Sequence, residues 1–438
     1  MSHKVITRFP PSPTGFLHIG RARTALFNYL FAHKNDGEMI FRLEDTDKAR
    51  SKKEFEDNMI ECLTWLGISW DNKTIERQSE RGEIYRKYLK KLIDEDKAYI
   101  SKEKIEEGEK AGQVNEVVRF RNPNKKVTFT DLIRGEITFD TEELGDFIIA
   151  RTIDDPLYHL AVVIDDFEMK ITHIIRGDDG ISNTPRQILI QEGIGAPKPI
   201  YAHLPLILAP DRSKLSGRHG AVSVTDYQKR GYLPEALVNY LALLGWNPGT
   251  EQEIFSMSEL VEAFDISKVN KAGAIFSEEK LNWFNKQYIE KLSDQEFLAH
   301  AEPFIPKNLP QQVLQLLKEK ISYFGQIPEL LKTEFAFLEP LAPYDLVKLA
   351  GKSDAPKIHL KKVIELIFEI PEGEFEKEKI KASVFPFAEE KGRGNVLWPM
   401  RYALSGKKQS PDPFVLSGIF GKEETIARLT AASATITK

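Results

Sequence analysis

The sequence predicts an α/β fold, with a parallel sheet in the first half, a β-rich insertion and a helical second half. Three observations carry this. Short β-branched runs alternate with helical stretches up to Asp96, which indicates βαβ units on a parallel sheet. Between Ser101 and Phe147 the texture changes to charge clusters and short β-like runs. After Gly220 apolar residues recur at helical spacing almost to the end. In order, the elements are a strand at Lys4–Phe9, a Pro/Gly loop, a helix at Gly20–Ala32, a strand at Met39–Leu43, a helix at Glu54–Leu66 and a charged helix from Ser79 to about Asp96. The insertion holds "EVVRFR", "KVTFTDLI" and "GEITF". "LAVVIDD" and "ITHIIRG" read as buried strands. A helix opens at "NTPRQILIQ", with Thr184 as N-cap, Pro185 as first helical residue and Gln187 as capping-box partner. "PIYAHLPLIL" is one more apolar strand before the turn "APDRSKLSGRHG", and "LPEALVNYLALLGW" and "EKLNWFNKQYI" are helical.

The chain has 438 residues, 41% of them hydrophobic, enough for several domains with sizeable cores. Its net charge of −5, from 61 basic and 66 acidic residues, leaves nucleic-acid binding to a local basic surface only. The single cysteine, Cys62, falls in the apolar rhythm Phe55, Met59, Leu63, Leu66, which makes it a buried helix-face thiol. One cysteine excludes an intrachain disulfide and a Cys-rich zinc site. "MSHKVITRF" lacks a signal pattern and "LVNYLALLGW" is too short to span a bilayer, so a soluble, cytoplasmic protein with no membrane partner is expected.

The segment "RFPPSPTGFLHIGRARTALFNYLFA" contains Gly15 and Gly20 at the spacing of a P-loop. A P-loop needs a lysine and a Ser/Thr hydroxyl next, and Arg21 and Ala22 stand there instead. What remains is a stiff strand exit at Pro10, Pro11 and Pro13, a turn at Gly15, and His18 and Gly20 at a helix N-terminus, where free N–H groups favour an anion.

"PSPTGFLHIGRARTALFNYLFA", "FRLEDTD", "HIIRGDDGISNTPRQ", "HLPLILAPDRSKLSGRHGAVSV", "GYLPEALVNYLALLGW" and "AIFSEEKLNWFNKQYI" resemble successive blocks of the bacterial-type glutamyl-tRNA synthetases, which are class I aminoacyl-tRNA synthetases. "VLWPMRYALSGKKQSP" and "GKEETIARL" are similar to their helical anticodon-binding region. The resemblance runs nearly end to end. It implies a Rossmann-like catalytic domain in two halves, 1–98 and 151–222, the second bearing the KLSGR loop. It further implies an acceptor-binding α+β insertion at 99–150, a helical stem-contact domain at 223–300 and a helical anticodon-binding domain at 301–438.

The implied chemistry is two-step attachment of L-glutamate to tRNA(Glu) through a glutamyl-adenylate, with ATP as substrate, Mg2+ on its phosphates and release of AMP and pyrophosphate. Glutamate activation would need bound tRNA. Catalysis would rest on positioning and phosphate charge stabilisation. "HIGR" resembles the class I H-I-G-H signature, so His18 would donate to phosphate oxygens while Gly15 and Gly20 leave room for the nucleotide. "SKLSGRHG" resembles the K-M-S-K-S loop, giving Lys214 and Ser216 to the triphosphate. Gly217 stands at the family's second lysine, and Arg218 beside it is expected to share the load with Lys214.

The resemblance assigns Arg8, Ser12, Glu44, Tyr158 and Arg176 to glutamate, and Ser182, Asn183, Thr184 and the His203–Leu206 backbone to ATP. A glutamate pocket requires an acidic group and an arginine on charge grounds alone. Gly180 occupies a position where the family commonly carries His. Lys391, Arg393, Trp398 and Arg401, with Lys407, Lys408 and Tyr402 nearby, would supply tRNA phosphate contacts and stacking. The stretch from Tyr99 to Arg119 is short and lacks the Cys-bearing element of some relatives, so zinc is not implied, and no metal ligand is assigned to a side chain. A monomer is expected. Charging of tRNA(Gln) as well remains an open alternative. Glutaminyl-tRNA synthetase, whose anticodon module is β-barrel-like, a tRNA-modifying paralogue and an inactive tRNA-binding protein are the competing readings.

Overall fold

The computed structural model describes residues 4–104, 114–216, 222–307, 309–338 and 343–436. It divides into two compact units, Met1–Tyr288 and Ile289–Lys438.

The first unit opens with β1 (Ile6–Phe9), α1 (Ile19–Lys34), β2 (Glu38–Leu43), α2 (Lys53–Trp65), β3 (Glu76–Arg77) and α3 (Gly82–Asp94). β1, β2 and β3 lie in that order as a parallel three-stranded sheet. There follow β4 (Ala98–Lys104), β5 (Val114–Phe120), β6 (Lys126–Asp131), β7 (Gly135–Asp140), β8 (Phe147–Thr152), β9 (Asp155–Pro156), α4 (Tyr158–Glu168), β10 (His173–Gly177), α5 (Thr184–Ile194), β11 (Ile200–Leu204) and β12 (Ile207–Leu208). β4, β5, β8 and β9 form an antiparallel sheet. The hairpin β6–β7 instead extends the parallel pair β10–β11, in the order β10-β11-β6-β7.

The two parallel sheets meet edge to edge. The Thr172 N–H donates to Ile6 O at 2.9 Å, and the Ile6 N–H donates to Thr172 Oγ1 at 2.8 Å. β1 and β10 are thus the strands on either side of the crevice where an open α/β sheet binds its ligands, outside the carboxyl ends of the strands. α6 (Val224–Lys229), α7 (Pro234–Leu243), α8 (Met257–Ala263), β13 (Ala274–Ile275) and α9 (Glu278–Lys291) complete this part, with β13 parallel to β12. Cys62 is buried on α2 against the Thr225 hydroxyl.

The second unit is helical among its described residues: α10 (Asp294–Ala301), α11 (Gln311–Lys320), α12 (Ile327–Lys332), α13 (Leu346–Ala350), α14 (Pro356–Phe368), α15 (Lys377–Lys391), α16 (Arg393–Ser405) and α17 (Pro413–Thr435). Leu360, Val363, Ile367, Val396, Met400 and Leu429 are fully buried in its core. Arg428 on α17 ties two other segments together by donating from Nη1 to Phe337 O and to Leu404 O in the last turn of α16. No helix among the described residues is long and apolar enough to cross a membrane.

Three local expectations are corrected. "LAVVIDD" is the helix α4, not a strand. Every residue from Leu160 to Asp166 is buried, so the run has no polar face and its period carries no information. The capping box at Thr184 and Gln187 does not form: the turn Asp178–Asn183 leads straight into α5, and both side chains bind Arg176 instead. The "PIYAHLPLIL" strand is divided into β11 and β12, because Pro205 lacks the N–H that would continue the ladder.

Candidate active site

A cavity of about 830 Å³ opens at the carboxyl ends of β1 and β10, beside the N-terminus of α1. Its walls include Arg8, Ser12, Gly15, His18, Gly20, Glu44, Tyr158, Arg176, Asn183, Lys214 and Ser216. Of the residues assigned to ATP, Ser182, Thr184, His203 and Leu204 do not line it, whereas Pro205 and Leu206 do. Ser182 is exposed, and Thr184 is fully buried beneath the wall.

His18 is the N-cap of α1, and its Nδ1 accepts the Gly20 N–H at 3.0 Å. Burial, then the nearby charges of Arg21 and Lys214, push its pKa down, so the ring is neutral at pH 7. A neutral imidazole that accepts at Nδ1 carries its proton on Nε2, where it is a donor. The α1 entrance is fixed from two sides. Asn58 on α2 accepts the Leu17 N–H at 2.9 Å, and the segment after the KLSGR loop pairs with it, Ile19 N–H to Val222 O and Val224 N–H to Leu17 O, each at 2.9 Å. The two signature segments are therefore tied backbone to backbone. Lys214, exposed, stands 3.6 Å from the Asp179 carboxylate. Gly217 and Arg218 lie outside the described residues.

The floor is a set of buried charges. Arg8 directs Nε at Asp166, 3.3 and 3.4 Å from the two carboxylate oxygens, while its buried Nη1 has no hydrogen-bond partner. Arg42, fully buried on β2, reaches Asp166 at 2.9 Å, Glu44 at 3.1 Å and Asp165 at 3.7 Å. Burial would lower its pKa, but these three carboxylates overcome that and raise it. Glu44 moves the other way: burial raises its pKa despite Arg42.

Arg176 differs from both arginines. Its Nε donates to His203 Nε2 at 3.1 Å, Nη1 to Gln187 Oε1 at 2.8 Å, and Nη2 to Gly180 O at 2.9 Å and Thr184 Oγ1 at 2.8 Å. None of these acceptors is charged, and burial lowers its pKa. An ideal Cβ on Gly180 would stand 2.5 Å from Arg176 Nε, so the arginine occupies space that only a glycine leaves.

Residues 4–113 and 100–283 match the family described as tRNA synthetases class I (E and Q), catalytic domain, and residues 296–433 match an anticodon binding domain. The glutamate–tRNA ligase of Carboxydothermus hydrogenoformans is 41% identical over 97% of this chain and 99% of its own length. The chain belongs to the glutamate–tRNA ligase family. The Aquifex aeolicus enzyme of the same name is also 41% identical, over 97% of this chain and 98% of its own. A crystal structure of a glutamate tRNA ligase from Elizabethkingia meningosepticum, in complex with its amino acid, superposes with a TM-score of 0.88 at 33% identity, covering 99% of this chain and 100% of that one.

In this member of the family, the residues assigned to tRNA lie around α16 of the second unit. Trp398 donates to Lys348 O at 2.8 Å, with the Arg401 guanidinium 4.9 Å from its ring centroid. Arg393 pairs with Glu389 at 2.6 Å and covers the Phe385 ring, and Lys391 pairs with Glu390 at 2.9 Å. Tyr402 is buried in the helical core, so its ring is not presented for stacking.

Sequence reasoning missed Arg42, Asp165, Asp166 and Asp131, and it named His203 only for its backbone. The signals were present: an arginine inside the apolar strand "IFRL", and two aspartates ending a run with no other polar residue.

Proposed function

We propose that this chain activates L-glutamate with ATP and transfers it to tRNA(Glu). The observation that carries the reading is a deficit of negative charge in the cavity wall. Arg176 is held by four neutral acceptors, and the Arg8 Nη1 is buried without a partner. A substrate side-chain carboxylate supplies the missing counter-charge, while Glu44 offers the wall a carboxylate for the substrate ammonium.

His18 Nε2 and Lys214 then face the ATP phosphates, with Gly15 and Gly20 giving the nucleotide its approach and Asn183 and Ser216 lining its side of the cavity. Magnesium enters with ATP as its phosphate complex. Among the described residues no three His, Cys, Asp or Glu side chains stand together as metal ligands. The second unit reaches tRNA through Lys391, Arg393, Trp398 and Arg401.

The test is Arg176→Gln, assayed with tRNA present. Loss of a charge-assisted hydrogen bond, about 1.5–3 kcal/mol, raises the glutamate KM about ten- to hundredfold and narrows the preference for glutamate over glutamine. Unchanged glutamate kinetics remove Arg176 from the pocket and the reading with it.

A further inference from the structure

We propose that Asp131 and His203 are positioning residues that hold the Arg176 guanidinium in the glutamate pocket by fixing the tautomer of the His203 ring. This rests on the reading of Arg176 as the ligand of the substrate carboxylate. Arg176 Nε–H donates to His203 Nε2, which must therefore present a lone pair and not a proton. The proton is left to Nδ1, and Asp131 Oδ2 accepts it at 2.6 Å. Both side chains are sealed from solvent, Asp131 at 2% exposure and His203 at 0%. The second shared acceptor, Thr184 Oγ1, lies 3.4 Å from the same Nε2 and donates to Gly180 O, which in turn accepts from Arg176.

Asp131 is itself held rigidly. Its Oδ1 accepts the N–H groups of Ile133 and Arg134, both at 2.9 Å, and Oδ2 also accepts the His203 N–H at 3.0 Å. Burial pushes its carboxyl up, but the His203 ring and the Arg134 and Ile133 N–H groups outweigh this and leave it below the ordinary range, so it stays an acceptor. A buried carboxylate on a neutral ring is poor value as packing, since an apolar pair of similar volume would fill the same space with no desolvation cost. What it secures is the polarity of one nitrogen, the one facing Arg176. The aspartate comes from β6, whose ladder with β11 is anchored at Asp131 and Tyr201, and the same hairpin turn grips the wall again through Arg134 Nη2 and Asp178 Oδ2 at 3.0 Å. A hairpin from the inserted segment thus reaches the substrate arginine without touching the substrate.

Asp131→Asn tests this with nearly unchanged volume. With the amide oxygen kept on the Ile133 and Arg134 N–H groups, the NH2 turns toward His203, where it loses the bond from the His203 backbone N–H and donates to the ring. Nδ1 then accepts, the proton moves to Nε2, and that N–H opposes Arg176 Nε–H. With tRNA present, the glutamate KM should rise about tenfold, the loss of one hydrogen bond to a charged group, with the ATP KM within twofold of the parent. In an Arg176→Gln background the same change should add little. A second pair of variants covers the case in which Asp131→Asn folds poorly. His203→Gln keeps an acceptor for Arg176 and should retain more glutamate affinity than His203→Leu. A packing role alone reverses that order, because Leu fills the apolar volume and Gln buries an amide. If Arg176→Gln raises the glutamate KM while Asp131→Asn leaves it at the parent value, or if His203→Leu outperforms His203→Gln, the positioning role is wrong and the pocket assignment stands. If Arg176→Gln itself leaves the KM unchanged, both fall.

Discussion

Asp166→Asn removes one negative charge from beneath two arginines, and the cost can be worked from the burial of the group. Asp166 is 5% exposed, Arg8 2% and Arg42 0%, so none of the three can turn to solvent when the pair is broken. Arg42 keeps Glu44 and Asp165, but Arg8 has no other carboxylate among its described ion pairs. Removing one partner of a buried pair costs about 3–5 kcal/mol, because a charge is left without compensation. The Asn oxygen still accepts one N–H, which places the expected loss near the lower figure.

For the first unit, Met1–Tyr288, an unfolding entropy of about 2.1 cal/mol/K per residue gives about 600 cal/mol/K, and hence a fall in Tm of about 5 °C. Calorimetry is the suitable assay, since two units need not unfold as one transition and the affected one can be read separately. Asp47→Asn is the control: its pair with Arg50 at 2.6 Å is exposed, and its loss should leave Tm unchanged. A shift for Asp166→Asn no larger than that of Asp47→Asn would refute the claim that this carboxylate compensates the arginines.

Two further outcomes are expected. The His159 pKa is pushed down to about 4 by burial and by the charges of Arg186 and Arg176, so between there and its ordinary 6.5 the unfolded chain binds the proton and the native state does not. This stabilisation is full above about pH 6.5 and lost as pH falls toward 4, amounting to about 2 kcal/mol between pH 7 and 5. His159→Gln should accordingly make the Tm of the first unit less steep in that window, by about 3 °C, and an unaltered slope would count against it. Lys214→Ala should slow single-turnover glutamate activation about 100- to 1000-fold as a preorganised charge donor is lost, and a parent-like rate would remove Lys214 from the chemistry.

How much of this was legible in the sequence depended on whether a segment keeps one face in water. α1, α2 and α3 each expose polar residues on one side, and their positions follow the apolar period to within a few residues. α4 does not, because it is covered all round, and its β-branched Val162, Val163 and Ile164 point to the wrong element. That misreading conceals chemistry as well as geometry. On a strand, adjacent Asp165 and Asp166 would face opposite sides. On the helix both side chains reach Arg42, while Asp165 also meets Arg81 and Tyr85 and Asp166 meets Arg8. Thr184 and Gln187 were misread for a related reason. They have the residue types and spacing of a capping box, but an arginine eight residues earlier, at the end of β10, competes for the same oxygens and wins. Local pattern cannot register a donor that arrives from another element.

That competition bears on why the pocket would choose a carboxylate over the isosteric amide. Arg8 shares Asp166 with Arg42, so part of its charge is already answered before substrate arrives. Arg176 is oriented as firmly, yet by a ring nitrogen, an amide oxygen, a hydroxyl and a carbonyl, which fix its position without neutralising it. A Cβ on Gly180 would stand 2.5 Å from the Arg176 Nε, so the guanidinium in this position lies directly against the turn that supplies the Gly180 O acceptor. An uncompensated positive charge in a partly desolvated wall gains an ion-paired hydrogen bond from glutamate but only an ion–dipole bond from the glutamine oxygen, whose NH2 also meets a surface made of donors. The two bonds differ by about 1–2 kcal/mol, and the opposed donors add an unsatisfied group, so discrimination of about ten- to hundredfold falls to this residue. On the proposed reading the division of labour follows: Arg8 would position the carboxylate, and Arg176 would supply the charge that rejects its amide.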